Sequence, residues 1–136
     1  MAQYFEQSGV IPYRIQDGKV EILLITSRKK KRWVIPKGLV ETEMSSQDSA
    51  AKEAWEEAGI IGEVLPDLVG TYQYKKCGGI CQVDVFLLRV ERLLDEWLES
   101  DREREWLSVK EAVKRLREKA LKRIIQELPE QLLSRQ

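Results

Sequence analysis

The apolar positions change period along the chain. Residues 9–15 read as a strand in which Pro12 marks an edge or a bulge. Asp17-Gly18 is a hairpin turn signal. Residues 20–26 are almost continuously apolar, which suits a strand covered on both faces. A run of five basic residues at 28–32 precedes a short strand over 33–38 that enters a glycine turn. Residues 45–58 predict a helix: Ser45 or Ser46 caps it, Asp48 favours the positive end of its dipole and Gly59 stops it. Ala50, Ala51 and Ala54 give that helix a thin side able to lie close to a sheet. Two more strands are expected over 63–73 and 80–90, the second alternating at period two. From 108 the period becomes helical. Ser108 and Glu111 form a capping box, Val113, Leu116, Ala120, Leu121, Ile124, Ile125 and Leu128 recur in steps of three and four, and Pro129 ends the pattern. A sheet flanked by a mid-chain helix and a terminal one predicts an α/β/α sandwich, with residues 1–136 as one domain.

Composition narrows the chemistry. There are 23 Lys+Arg, 23 Asp+Glu and no His. A formal charge of zero argues against a strongly basic nucleic-acid binder. Without histidine there is no Ser-His-Asp or Cys-His catalysis and no His-ligated zinc, so an enzyme here works with carboxylates, Lys, Arg, Tyr, Ser or a metal held by oxygen. Cys77 and Cys81 have no usual metal spacing and read as reduced thiols. The start of the chain lacks a signal-peptide pattern and no stretch is long and apolar enough for a membrane span, so a cytoplasmic location is expected.

The most informative feature is the segment Lys52-Glu53-Ala54-Trp55-Glu56-Glu57-Ala58-Gly59. On a helix, Glu53, Glu56 and Glu57 fall within an arc of about 100°. Like charges at these spacings repel, and they stand at the end of the helix where the dipole disfavours anions. A hard divalent cation relieves that arrangement because Mg²⁺ and Mn²⁺ prefer oxygen ligands. A merely solvated acidic face is the other reading of the three glutamates alone.

Residues 38–60 resemble the Nudix box, whose pattern is Gly, five residues, Glu, seven residues, then Arg-Glu-aliphatic-x-Glu-Glu-x-Gly-aliphatic. Gly38, Glu53, Glu56, Glu57, Gly59 and Ile60 occupy their expected positions, and Ala54 stands in for the first aliphatic. The resemblance extends over roughly residues 8–128. It implies a Nudix-type sandwich with a mixed β-sheet between helices, and an Mg²⁺- or Mn²⁺-dependent hydrolase acting on a phosphoanhydride of a nucleoside diphosphate linked to another moiety, or of a similar compound. It further implies Glu53, Glu56, Glu57 and the Gly38 carbonyl as metal ligands, Glu57 as the group that activates water, and Glu105, just before Trp106, as an assisting acid. Two positions depart from the pattern: Met44 stands where Glu is expected and Lys52 where Arg is expected. Those two side chains normally pair, and Glu43, one residue early, is the expected replacement partner of Lys52.

Cations that face the box are expected among the 28–32 run, which includes Arg28 and Arg32, and at Lys37, Lys75-Lys76, Arg102 and Arg104; a solvated hairpin turn is the bland reading of 28–32. Together with Arg14 and the segments Arg32-Trp33-Val34-Ile35-Pro36 and Arg104-Glu105-Trp106, they resemble the branch of the family acting on diphosphoinositol polyphosphates and diadenosine polyphosphates. Such anionic substrates require many Arg and Lys contacts. Tyr72, Tyr74 or Trp33 offers a stacking surface for a base, though aromatic residues in strands are more often core. The expected partner is thus a small phosphoanhydride, with no membrane and with nucleic acid disfavoured. Competing readings are a weakly catalytic Nudix domain that senses nucleotides or polyphosphates, an RNA 5′-pyrophosphohydrolase, and a protein-binding module with an acidic surface helix.

Overall fold

The second strand shows how the layers arise. Its apolar run sends Leu23 and Ile25 to one face of the sheet and Ile22 and Leu24 to the other, and all four are buried. A strand with no polar face needs cover on both sides, and the chain supplies it with helices. The computed structural model describes residues 3–29, 32–76 and 78–133. The elements run β1 (Gln3–Gln16), β2 (Lys19–Thr26), β3 (Trp33–Val34), β4 (Lys37–Leu39), α1 (Ser46–Ala58), β5 (Ile60–Lys76), β6 (Gly79–Leu93), β7 (Arg104–Ser108), α2 (Val109–Arg115) and α3 (Lys119–Leu133). The result is the expected α/β/α sandwich around a mixed sheet. β1 and β6 are parallel, and the other pairings are antiparallel.

α1 covers one face through Ala50, Ala54 and Ala58, which pack with Val10, Leu23, Ile25, Phe86 and Leu88. Alanines four apart let the helix approach the sheet closely; Ala58, rather than Ala51, completes that buried stripe. The opposite face is covered by α2 and α3, whose Ala112, Leu116, Leu121, Ile125 and Leu128 meet Ile11, Ile22, Leu24, Val83 and Val85. Among the described residues no helix is long and apolar enough to cross a membrane. Cys81 is a buried free thiol, and Cys77 lies outside the described residues, as do Lys30 and Lys31.

The sheet has a slot. β1 and β2 pair only near their hairpin, from Tyr13↔Ile22 to Gln16↔Lys19. Asp17 and Gly18 both have positive φ there, as a two-residue hairpin requires. Beyond that pairing, β2 takes β3 at Ile25↔Val34 while β7 occupies its other edge, and β1 takes β4 at Gly9↔Lys37 while β6 occupies its other edge. The segment 33–39 is therefore wedged between two parted strands. A single strand over 33–38 was expected; it is two, interrupted at Ile35-Pro36, where the Pro36 carbonyl accepts from the Val10 N–H at 3.1 Å.

The terminal segment also differs from expectation. The buried positions of α2 and α3 step from Leu116 to Leu121, five residues, which no continuous helix places on one face. The helix stops at Leu116, whose backbone is extended with φ −81° and ψ 152°, and α3 restarts at Lys119. Pro129 does not end α3. It removes one backbone hydrogen bond, but buried Leu128 and the partly buried Leu132 and Leu133 hold the last turns against the core.

Candidate active site

The capping residues place the glutamates. Ser45 Oγ accepts from the Asp48 N–H at 3.0 Å, and Gly59, at φ 65°, closes the other end of α1. With Ala54 and Ala58 turned to the sheet, Glu57 points toward the slot and is buried; its Oε1 accepts from the backbone N–H of Lys37 at 3.3 Å. Burial pushes the Glu57 carboxyl up to about 8, against an opposing pull from Arg102 and a further push from Glu53. Burial, with the charge of Glu56, raises Glu53 to about 7. Glu53 Oε2 is buried and has no hydrogen-bond partner among the described residues.

Gly38 explains itself by what it touches. A Cβ there would stand 2.1 Å from Glu53 Oε2, so the wedge segment and the helix carboxylate share one space. Gly38→Ala is expected to leave the melting temperature nearly unchanged, because the obstacle is the end of a flexible side chain. It should weaken metal binding and turnover by roughly 10–100-fold, because Glu53 must swing away. Titration with Mn²⁺ beside a thermal melt separates the two effects.

The departures at 44 and 52 have a structural answer. Lys52 Nζ donates to both carboxylate oxygens of Glu41, at 2.8 and 3.0 Å, and lies 3.5 Å from Glu56. The expected partner was Glu43. Instead the chain turns tightly, the Met44 N–H donating to the Glu41 carbonyl, with Glu43 exposed at φ 70°. The pairing thus survives with its acid displaced to position 41.

A cavity of about 610 Å³ opens beside Glu57. Arg28, Lys29, Arg32, Lys37, Lys75, Lys76, Arg102 and Arg117 line it, against two acids, Glu57 and Glu118. Its walls come from residues 27–29 and Arg32 between β2 and β3, the wedge, the end of β5, Arg102 and the α2–α3 connection. Lys37 is half-buried: Nζ donates to Tyr74 Oη at 2.8 Å and lies 4.5 Å from the Tyr74 ring, and burial lowers its pKa. Arg102 donates to Glu99 at 2.9 Å and to the Thr26 carbonyl at 3.1 Å. Arg28 forks onto Asp101 at 3.0 and 3.1 Å. Such a surface, dense in cations beside a buried carboxylate whose pKa burial raises, suits a polyanionic ligand.

The residues of the NUDIX domain family match this chain over positions 6–128. The chain belongs to the Nudix family. Among curated Nudix relatives, the mitochondrial Nudix hydrolase 12 of Arabidopsis thaliana is 32% identical over 88% of this chain and 70% of its own length. The chloroplastic Nudix hydrolase 21 of the same plant is 37% identical over 82% of this chain and 60% of its own. Diphosphoinositol polyphosphate phosphohydrolase 3-alpha of Mus musculus is 36% identical over 69% of this chain and 58% of its own. The chain thus spans roughly three fifths to seven tenths of these relatives. The crystal structure of the C. elegans Ap4A hydrolase superposes with a TM-score of 0.79 at 23% identity, over 96% of this chain and 99% of that one. It shares the fold.

Within the Nudix frame, three of the residues expected at the site are engaged elsewhere. Arg14 donates to Glu21 at 2.7 Å and stacks over Trp106 at 4.1 Å, near the hairpin end of the sheet. Arg104 donates to the carbonyls of Ala58 and Leu94, at 2.7 and 2.6 Å, and lies 3.9 Å over the Trp97 ring. It caps the carboxyl end of α1, where a cation complements the helix dipole. Glu105 alternates with Trp106 on β7. Trp106 packs on the α1 side, so Glu105 faces the α2 side, where it pairs with Arg115. Conversely Glu41, Glu99, Arg117 and Glu118 belong to the site region without any local sequence signal. The one signal that could have found any of them is the i,i+3 spacing of Glu99 and Arg102, which pair in the structure.

The donors fit a hard cation by their chemistry. They are all oxygen, two are desolvated carboxylates and one oxygen has no hydrogen-bond partner among the described residues. Among the described residues, however, no three acidic or thiol side chains converge as a finished metal shell.

Proposed function

We propose that this chain is a divalent-metal-dependent hydrolase that cleaves a phosphoanhydride bond in a nucleotide-derived or polyphosphorylated substrate. Diadenosine polyphosphates and diphosphoinositol polyphosphates are the first candidates. The observation that carries the reading is the opening of Glu57, the buried carboxylate of α1, onto the cationic cavity. Glu53, Glu56, Glu57 and the Gly38 carbonyl are the groups that would hold Mg²⁺ or Mn²⁺. A bound ion supplies charge neutralisation to the phosphates and acidity to a water. Lys37, Lys75 and Arg102 orient the phosphate chain, and the enclosing wedge limits water. Glu57, held by the Lys37 N–H and by burial, takes the proton of the attacking water. The names of the mouse and C. elegans relatives support the choice of substrates. The binding-only reading drew on Met44 and Lys52, and the Lys52–Glu41 pair weakens it.

The test is product analysis by ion-exchange chromatography after incubation with diadenosine tetraphosphate, a diphosphoinositol polyphosphate, a nucleoside triphosphate or a sugar nucleotide. Cleavage is expected only with Mg²⁺ or Mn²⁺ and is abolished by EDTA. Turnover indifferent to EDTA, or none on any of the four, would overturn the proposal.

A further inference from the structure

One wall of the cavity carries an acid where a phosphate site wants none. Glu118 lies in the α2–α3 connection and reaches the cavity from the sheet face opposite α1, so it and Glu57 enter from different sides. Its side chain is 18% exposed, and its Oε2 accepts from Arg32 Nη2 at 3.1 Å. Its charge is felt by Lys37 and by Tyr72. The ion pair is a single hydrogen bond, not a fork: Arg32 Nη1 and Glu118 Oε1 are both buried and find no hydrogen-bond partner among the described residues.

Two consequences follow from charge alone. Arg32 is already neutralised, so it is no free phosphate cation. A phosphate brought to this end meets a carboxylate that repels it, whereas a neutral group bearing N–H or O–H meets an acceptor.

Building on the hydrolase reading, we propose that Glu118 is a specificity-determining residue of the cavity. It neutralises Arg32, rejects phosphate at the α2–α3 end and accepts a hydrogen bond there from the base or sugar of a nucleoside. The cavity therefore prefers a polyphosphate chain ending in a nucleoside to a ligand that is phosphate throughout.

Calorimetric titration of the whole chain in EDTA, where no turnover is expected, with ATP and with inorganic tripolyphosphate tests this directly. Both probes carry three phosphates and differ in the nucleoside. The wild-type protein should bind ATP at least about 10-fold more tightly. Glu118→Gln should reduce that ratio by about 10-fold, mainly through tighter tripolyphosphate binding, and Glu118→Asp, which keeps the charge, should retain it within about 3-fold. If Glu118→Gln does not fold, Arg32→Gln serves instead: loss of the neutralising partner should weaken tripolyphosphate more than ATP. An unchanged ratio in Glu118→Gln, or an Asp variant that behaves like Gln, overturns the proposal. Failure of the wild-type protein to hydrolyse any phosphoanhydride with Mg²⁺ would sink the hydrolase reading while leaving this binding ratio measurable.

Discussion

Glu57→Gln should lower the rate of phosphoanhydride hydrolysis by at least about 10²-fold while making the metal-free protein more stable. The two effects share one cause. Glu57 is buried beside Glu53, and its carboxyl is raised from 4.5 to about 8, chiefly by burial. Glu53 is raised to about 7 in the same way. Between pH 4.5 and these values the folded chain binds more protons than the unfolded one, so stability falls as pH rises. The penalty is absent below the unfolded value and is complete above about pH 8. Glutamine keeps the shape and the hydrogen-bonding capacity toward Lys37 but removes the charge. At pH 8 it should gain about 2–4 kcal/mol, a rise in Tm of roughly 5–12 °C. Thermal melts of the metal-free protein from pH 5 to pH 9 should slope downward to about pH 8 in the wild type, and in the variant less steeply and only to about pH 7, where Glu53 finishes titrating. Added Mg²⁺ should restore stability at high pH only in the wild type. A variant with normal turnover would remove Glu57 from the chemistry, and one less stable than wild type at pH 8 would overturn the burial account.

Arg104→Ala should lose stability and leave substrate affinity nearly unchanged. The guanidinium holds the Ala58 and Leu94 carbonyls and lies over Trp97. Truncation leaves two carbonyls short of a donor at the end of α1 and empties the space above the ring. The expected cost is about 2–4 kcal/mol, or roughly 5–15 °C in Tm. Because Arg104 is not among the residues lining the cavity, KM should move by less than about 3-fold at a temperature where the variant is folded. A large KM increase with an unchanged melt would return Arg104 to the substrate set.

That contrast shows what a linear reading resolves. α1 was legible to within a residue, with Ala51 named where Ala58 completes the stripe, because its serine cap, Gly59 and its alanines are local signals whose physics does not depend on the rest of the chain. β2 was legible because an unbroken apolar run needs two covers. β7 was not: five residues with Arg, Glu and Ser among them carry no strand pattern, and the strand exists because β2 offers Glu21–Ile25 an open edge. The break between α2 and α3 was hidden by Ala120, which fills an apparent helical step without being buried. The cations were the hardest to sort. Arg14, Arg102 and Arg104 look alike in the chain, yet one stacks on a tryptophan near the hairpin, one lines the cavity and one caps a helix. Likewise the partner of Lys52 depended on a turn at Glu41–Met44 that no spacing rule announces.

The wedge between β1 and β2 has a consequence for tolerance to insertion and deletion. Its few residues are counted from both sides: Pro36 answers Val10, Lys37 offers its N–H to Glu57, and Gly38 makes room for Glu53. Adding or removing one residue there would turn alternate groups to the wrong face and unlatch helix from cavity together. The turn at Asp17-Gly18, where nothing lies within 4 Å of a Cβ built on Gly18, imposes no such count. A linker or label spliced into that distal tip should leave the chemistry untouched, whereas the same splice in the wedge should silence it even if every side chain were kept.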